Sequence, residues 1–404
     1  MIAFVNGSLY TPMRIISPGV LLVNGGRIAA VGTPEQVPIP KEARRIDAGG
    51  NIVCPGLIDI HAHGGDGADC TEGTVEAVRA VARRHLRAGT TSFLPTTGSA
   101  PFPRMWQAFD CIREVMHHRG PGEARALGIH SEGNFFSVAQ RGAHAAELLR
   151  MPDPAERERL YSYAGDLGRL TIAPELEGAL EIIRHLSQRG VLISGGHSDA
   201  LYGEVCLAME AGMRHITHLW SGMSMLKRIG PKRHSGMVEA ALVEEGLTTE
   251  IIADGYHLPT SLMKMAQRMK GAEKLCLVSD AMSASGLGPG EFDVCGIKAI
   301  VEEGGGVAIT ADRKAFAGSI STMQQCLRHV VQVVGFSLTE ALQMCTLTPA
   351  RILGLERRVG QLAPGCHADV LILDRATLEP QAIMLAGELV TAQRHEDGLR
   401  LPSG

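Results

Sequence analysis

Two histidines one residue apart, His61 and His63, close a short apolar run of Leu57, Ile58 and Ile60 that follows a Pro-Gly pair. Such a run suits a buried strand, and alternate strand residues point the same way. Two imidazoles on one face of a strand end can hold one metal ion. A lone His-x-His is weak evidence, because solvated and core histidines are common. Its weight comes from what ends the later apolar runs: His130 and Glu132 in HSEG, His197 in GGHSDA, His218 in THLWSGM, Asp254 and His257 in ADGYH, and Asp280 in VSDA. Read singly, each is an ordinary loop residue, and a strand-end Asp often caps a helix or closes an Asx-turn. Read together, they bring imidazoles and carboxylates to one place.

Histidine and carboxylate ligands favour zinc, with iron or manganese as alternatives. His197, His218 and Glu132 make a three-ligand set with a position open for water. His61 and His63 support a second ion, with Glu132 bridging. A metal polarises a carbonyl and acidifies its water. Asp280 then takes the proton of the attacking water and passes it to the leaving group. This is hydrolysis without a protein nucleophile.

The elements that must position these residues alternate from residue 56 onward. Strand candidates fall at about 56–63, 90–95, 126–131, 170–174, 191–197, 215–220, 249–254 and 274–279. Between them, helical spacing recurs in Val75, Val78, Ala82 and Leu86, in Leu176, Ala179, Ile183 and Leu186, and in Leu262, Met265, Ala266 and Met269. Eight strand–helix units predict an α/β fold, a (β/α)8 TIM-type barrel over 55–349. Residues 1–54 read instead as short strands, with turns signalled at Asn6-Gly7 and Asn24-Gly25. The tail returns to strand-like text at 368–374 and 382–390. Residues 1–54 plus 350–404 are therefore expected to form one small β-sandwich domain from both chain ends. Between the eighth strand and the tail, 283–318 reads as a loop and a hairpin turning at Glu303–Gly306, followed by helices over about 320–334 and 338–346.

With 39 basic and 43 acidic residues the net charge is -4, which gives no case for nucleic acid or an anionic membrane. The amino terminus has no signal-peptide pattern, and no apolar run reaches the length of a membrane span. Nine cysteines without a CxxC pair fit reduced cytosolic thiols, and Cys54 and Cys70 beside the His motif read as packing residues.

Over nearly its full length the chain resembles the amidohydrolase superfamily, and within it the N-acetylglucosamine-6-phosphate deacetylase family. The residues that carry the likeness are PGLIDIHAHGG, HSEG, GAH at 142–144, GHSDA, THLWSGM, ADGYH, SDA, AGSISTM at 317–323, TPARILGL at 348–355 and GQLAPGCHADVLILD at 360–374. The resemblance implies a cytoplasmic, dimeric enzyme that uses one or two divalent metal ions to remove acetate from a phosphorylated amino sugar. It implies Glu132, His197 and His218 as main ligands, His61 and His63 as ligands of a second ion, and Asp280 as acid and base. It further implies substrate contacts from His144, Ser221, Gly222 and His257, and from Arg233, which reaches the neighbouring subunit's site. The residues alone leave another reading of Arg233 open, since Lys227, Arg228 and Lys232 beside it could form a solvated face. The chain departs from the family pattern at Ser131 and Asn134 in HSEGN, at Ser221 where an asparagine is usual, and in KRHSG at 232–236.

Two other functions compete with this one. One is hydrolysis of a different N-acyl or cyclic amide. The other is a non-catalytic assembly role on the same scaffold, which fold alone would permit but which should have lost the metal ligands.

Overall fold

The computed structural model describes residues 1–392; residues 393–404 of the expected β domain lie outside the described residues. Eight parallel strands form the centre: β1 Leu57–Ala62, β2 Thr90–Thr97, β3 Ile129–Glu132, β4 Leu167–Ile172, β5 Leu192–Gly195, β6 His215–Ile216, β7 Thr248–Ile252 and β8 Leu275–Val278. Each pairs in parallel with the next. The ring meets just past β8, where Ala281 bridges Ala62 of β1. There Asp280 donates its N–H to the carbonyl of His61 (3.0 Å), and His63 donates to the carbonyl of Ala281 (2.9 Å).

The strands are buried along almost their whole length because both faces are covered. Leu57, Ile58 and Ile60 are fully buried. Helices pack outside the ring by their apolar stripes. In Val75–Arg87, Val78, Val81, Ala82 and Leu86 are buried, and Thr74 caps the helix by accepting from the N–H of Ala77. Thr260–Lys274 differs from its sequence pattern. Met263 and Ala266 face inward, while Met265 and Met269 are exposed.

The chain ends share one eight-stranded sheet. Its order runs Glu388–Ala392, Pro380–Leu385, Val370–Leu373, Ile52–Pro55, Ile2–Tyr10, Ile15–Asn24 and Arg27–Gly32, with Arg44–Asp47 also paired to Ile2–Tyr10. The two ends meet where Val370 faces Pro55 and Leu373 faces Ile52. Phe4, Leu21, Val53, Val370, Ile372 and Met384 belong to the core cluster that results. Asn6-Gly7 is not a turn. Asn6, at φ 55°, sits in an irregularity within Ile2–Tyr10, and its side chain donates to Asp47. A bulge tolerates the left-handed residue that the Asn-Gly pair otherwise offers to a hairpin.

The segment after β8 is larger than one hairpin. Gly290–Val294, Ile297–Val301, Val307–Thr310 and Phe316–Ser319 form a four-stranded antiparallel sheet. The expected 303–306 turn joins its middle strands. A second tight turn at Cys295-Gly296, both at positive φ, adds the first strand. The last strand ends at Ser319, which bridges Ala281 beside the barrel seam. The helix expected from 320 begins at Met323, capped by Thr322.

Candidate active site

The strand ends converge as the alternation requires. His61 and His63 come from the end of β1, where an irregular register between Asp59 and Ala62 marks a bulge. Glu132 ends β3. His197, His218 and Asp280 each lie two residues past β5, β6 and β8. These last three residues have φ of 47°, 21° and 48°. Left-handed backbone is costly for residues with a Cβ and persists where the surroundings over-determine it, commonly at functional sites.

Glu132 is the hub. Its Oε2 lies 2.9 Å from Nε2 of both His61 and His63. Its Oε1 lies 3.2 Å from Nε2 of His218 and 3.7 Å from Nε2 of His197. Asp280 Oδ1 completes the first group, 3.4 Å from His61 and 3.5 Å from His63. Two sets of donors result, His61, His63, Glu132 and Asp280 on one side and Glu132, His197 and His218 on the other. Each set is compact enough to hold one metal ion, and all six residues are buried.

The donor chemistry fits divalent metal. The Nε2 atoms of His61 and His63 face each other at 3.2 Å. The ring of His197 must donate from Nδ1 to the carbonyl of Gln140 (3.0 Å), which leaves its Nε2 as a lone pair aimed at the cluster. Burial, then the neighbouring His218, pushes His197 down to about 4, so the ring is neutral and able to ligate. Burial opposes ionisation of Glu132, but His61, His218 and His63 beside it hold its carboxyl well below the usual range. Glu132 Oε1 is buried and makes no hydrogen bond, as suits an atom reserved for a cation.

The cluster opens into a cavity of about 270 Å³. His63, Glu132, His197, His218 and Asp280 line its inner end. His144, Ser221, Gly222 and His257 line it further out. His144 is held by Ser99 Oγ at 2.8 Å, and His257 Nδ1 by Asp254 Oδ2 at 2.7 Å. Gly222 is required by close approach. At φ 55°, a Cβ there would lie 2.8 Å from Nδ1 of His197. Trp220, Met282 and Phe316 supply apolar wall that the sequence reading did not single out.

Two expected residues stand apart. His130 is a satisfied core histidine, between the hydroxyls of Thr96 (3.1 Å) and Thr171 (2.8 Å). Arg233 lies on the exposed hairpin of Lys227–Ile229 and Lys232–His234, opposite Arg228, and does not line the cavity of its own chain. Among the described residues that do, none is Lys or Arg. The hairpin is nonetheless tied to the site. Lys227 pairs with Asp199, which accepts from the side chain of Gln140, whose carbonyl holds His197. All nine cysteines are free, and Cys54 and Cys70 are buried in the core. No helix among the described residues is long and apolar enough to cross a membrane.

A sequence model of the amidohydrolase family matches residues 52–390. The chain belongs to that family. Amidohydrolases imply a divalent metal, and the clustered histidines and carboxylates are compatible with one. Among curated proteins, this amidohydrolase is similar to an N-acetylgalactosamine-6-phosphate deacetylase of Escherichia coli O157:H7, 36% identical over 372 residues that cover 92% of this chain and 94% of the relative. It is equally similar to the N-acetylglucosamine-6-phosphate deacetylase of Homo sapiens, 36% identical over 400 residues, 94% of this chain and 95% of the relative. Among solved structures, an N-acetylglucosamine-6-phosphate deacetylase from Pasteurella multocida superposes with a TM-score of 0.90 at 30% identity, covering 97% of this chain and 100% of that one. A mutant deacetylase from Mycobacterium smegmatis, solved with N-acetyl-D-glucosamine-6-phosphate, gives 0.88 at 31% identity, covering 97% and 99%.

Proposed function

We propose that this amidohydrolase cleaves the acetamide of N-acetylglucosamine 6-phosphate, giving acetate and glucosamine 6-phosphate. The observation that carries the reading is the carboxylate of Asp280 set beside a Glu132-bridged histidine cluster at the inner end of a cavity. The names of the four relatives given above, each a hexosamine-6-phosphate deacetylase, supply the substrate class. In this reading the chemistry belongs to the barrel of residues 55–349, and the sheet built from the two chain ends takes no part in it.

Glu132, His197 and His218 would hold the principal ion, and His61 and His63 with Glu132 would hold a second. Zinc suits this nitrogen-and-carboxylate set best. When bound, such an ion supplies a Lewis acid for the amide carbonyl and a more acidic water. Asp280 accepts the proton of the attacking water at its carboxylate. It returns that proton to the amide nitrogen as the C–N bond breaks, so the amine leaves neutral. His144, fixed by Ser99, stands where it can donate to the acyl oxygen or a sugar hydroxyl. Ser221, Gly222 and His257 receive the 6-phosphate end.

That no Lys or Arg among the described residues lines the cavity supports a phosphate partner from outside the chain. Arg233 of a second copy fills that role in a homodimer, with a guanidinium fork suited to phosphate. Nine free thiols fit a cytoplasmic enzyme.

A second reading is the galactosamine epimer, favoured by the Escherichia coli relative. Acetate release from N-acetylglucosamine 6-phosphate, N-acetylgalactosamine 6-phosphate and both free sugars tests the assignment. The 6-phosphate glucosamine substrate is expected to have the highest kcat/KM. Preference for the galacto epimer or for a free sugar would replace the substrate and keep the hydrolase. No hydrolysis of any of them by metal-loaded protein would sink the reading.

A further inference from the structure

Glu250 has no part in the chemistry above, yet it touches both halves of the histidine cluster. It is a lone charge in β7, flanked by Thr248, Thr249, Ile251 and Ile252, and it is fully buried. Its Oε1 lies 2.8 Å from Nδ1 of His61 and accepts the main-chain N–H of His218 at 3.1 Å. Arg169 grips the carboxylate with both terminal nitrogens, at 2.7 and 2.8 Å. The main-chain carbonyl of Glu250 also accepts the N–H of Leu219 at 2.8 Å. Main chain and side chain of one residue thus clamp the turn that carries His218.

We propose that Glu250 is a positioning residue that sets both metal subsites at once. It fixes the tautomer of His61 and holds the left-handed backbone of His218. The inference rests on the ligand assignment proposed above.

The argument is one of donors and acceptors. A carboxylate paired with Arg169 can only accept. Nδ1 of His61 must therefore carry a proton, which makes Nε2, facing Glu132 and Asp280, the nitrogen available to a metal ion. The other end of the clamp holds His218 at φ 21°, a conformation that nothing in its own side chain favours, since Nδ1 of that ring has no partner. A leucine at 250 removes the acceptor from Nδ1 of His61 and from the N–H of His218, whereas a glutamine could keep its oxygen on both and turn its NH2 toward Nε2 of His215, which lies 3.1 Å from Oε2.

The competing role is a plain core ion pair that neutralises Arg169. Two variants separate the roles: Glu250→Leu, and Glu250→Leu combined with Arg169→Met, which leaves no unpaired charge in the core. Folding is read by circular dichroism and thermal unfolding. Zinc affinity is read by competition with a chelator, and ligand geometry by the absorption spectrum of the cobalt-loaded protein. The folded variants are expected to bind zinc about 10- to 100-fold more weakly at both subsites, the range seen when partners of ligating histidines are removed, with a changed cobalt spectrum. A folded double variant with wild-type zinc affinity and cobalt spectrum would overturn the proposal. The wild type gives an independent reading. Histidine-selective 15N NMR of the zinc-loaded protein should show the proton of His61 on Nδ1, and a ring without a proton on Nδ1 would overturn the proposal without any variant. Failure of the underlying ligand assignment looks different, because His197→Ala would then keep its full zinc content.

Discussion

The Nε2 atoms of His197 and His218 lie 3.2 Å apart, at the edge of a cavity and beside Oε1 of Glu132. Two imidazole lone pairs at that separation repel unless a cation or a proton lies between them. Replacing either ring by alanine should remove metal and turnover together. A bound ion supplies several kcal/mol of transition-state stabilisation, so kcat should fall by roughly 10²-fold or more. Elemental analysis and acetate release on the same preparation check this, and His197→Ala with full metal and normal turnover would refute it. His61→Ala should cost less if the His197–His218 ion alone sustains hydrolysis.

Asp280→Asn should separate chemistry from metal binding. The amide keeps the side chain's shape but cannot accept the water's proton. General acid–base catalysis typically contributes about 10²- to 10⁴-fold. Turnover should drop within that range while the histidine cluster keeps its metal. A loss of under about threefold would remove Asp280 from the proton path.

His257 should tell phosphorylated from free sugar. Asp254 accepts from its Nδ1 and from two main-chain N–H groups, those of Tyr256 and His257, so the ring is held rigidly at the cavity wall. A charge-assisted hydrogen bond to phosphate is worth about 1.5–3 kcal/mol, or roughly ten- to a hundredfold. His257→Ala and Arg233→Ala should each lower kcat/KM for the 6-phosphate sugar by about that factor and leave the free sugar less affected. Equal losses on both sugars would place neither residue at the phosphate.

Stability should respond to His85, which has no role in the proposed chemistry. Burial, then the charge of Arg84, pushes its imidazole from 6.5 down to about 4. The unfolded chain therefore binds the extra proton between pH 6.5 and 4, and the folded chain does not. The native state is favoured above pH 6.5 and loses up to about 3 kcal/mol as pH falls to 4. Asp59, 3.9 Å away and raised to about 7 by burial, contributes a slope of opposite sign. His85→Phe keeps the stacking on Phe93 and should flatten only the histidine's share. Urea melts of both proteins from pH 4 to 7 check it. A difference in stability between them that does not change with pH would contradict the assignment.

The barrel was legible because its strands bury both faces. Leu275–Val278 therefore reads as continuous apolar text, and Leu57–Ile60 is broken only by Asp59. The clustered site residues were legible for a related reason: a histidine or aspartate just past such a run has few structural duties. Less visible was whatever depends on partners distant in sequence. Asn6-Gly7 has the composition of a hairpin turn, and only its pairing with Ile15–Asn24 makes it a bulge. Met265 and Met269 follow helical spacing but lie one position off the buried stripe. Trp220 and Phe316 meet the cavity through a turn and an inserted sheet that no local pattern announces. Glu250 and Arg169 did leave a trace, each being a single charge in an otherwise uncharged strand. A residue of that kind must find a buried partner, and the search for one could have paired them.

The meeting of β1 with the segment after β8 has a consequence for how this molecule ages under heat. The same few main-chain hydrogen bonds that shut the ring, from Asp280 to His61 and from His63 to Ala281, also set the distance between the aspartate and the paired histidines. A warmed chain that breathes at this joint would stop turning over while the other seven strand pairings still hold. Catalytic half-life and melting temperature would then report two separate events, with silencing as the earlier one.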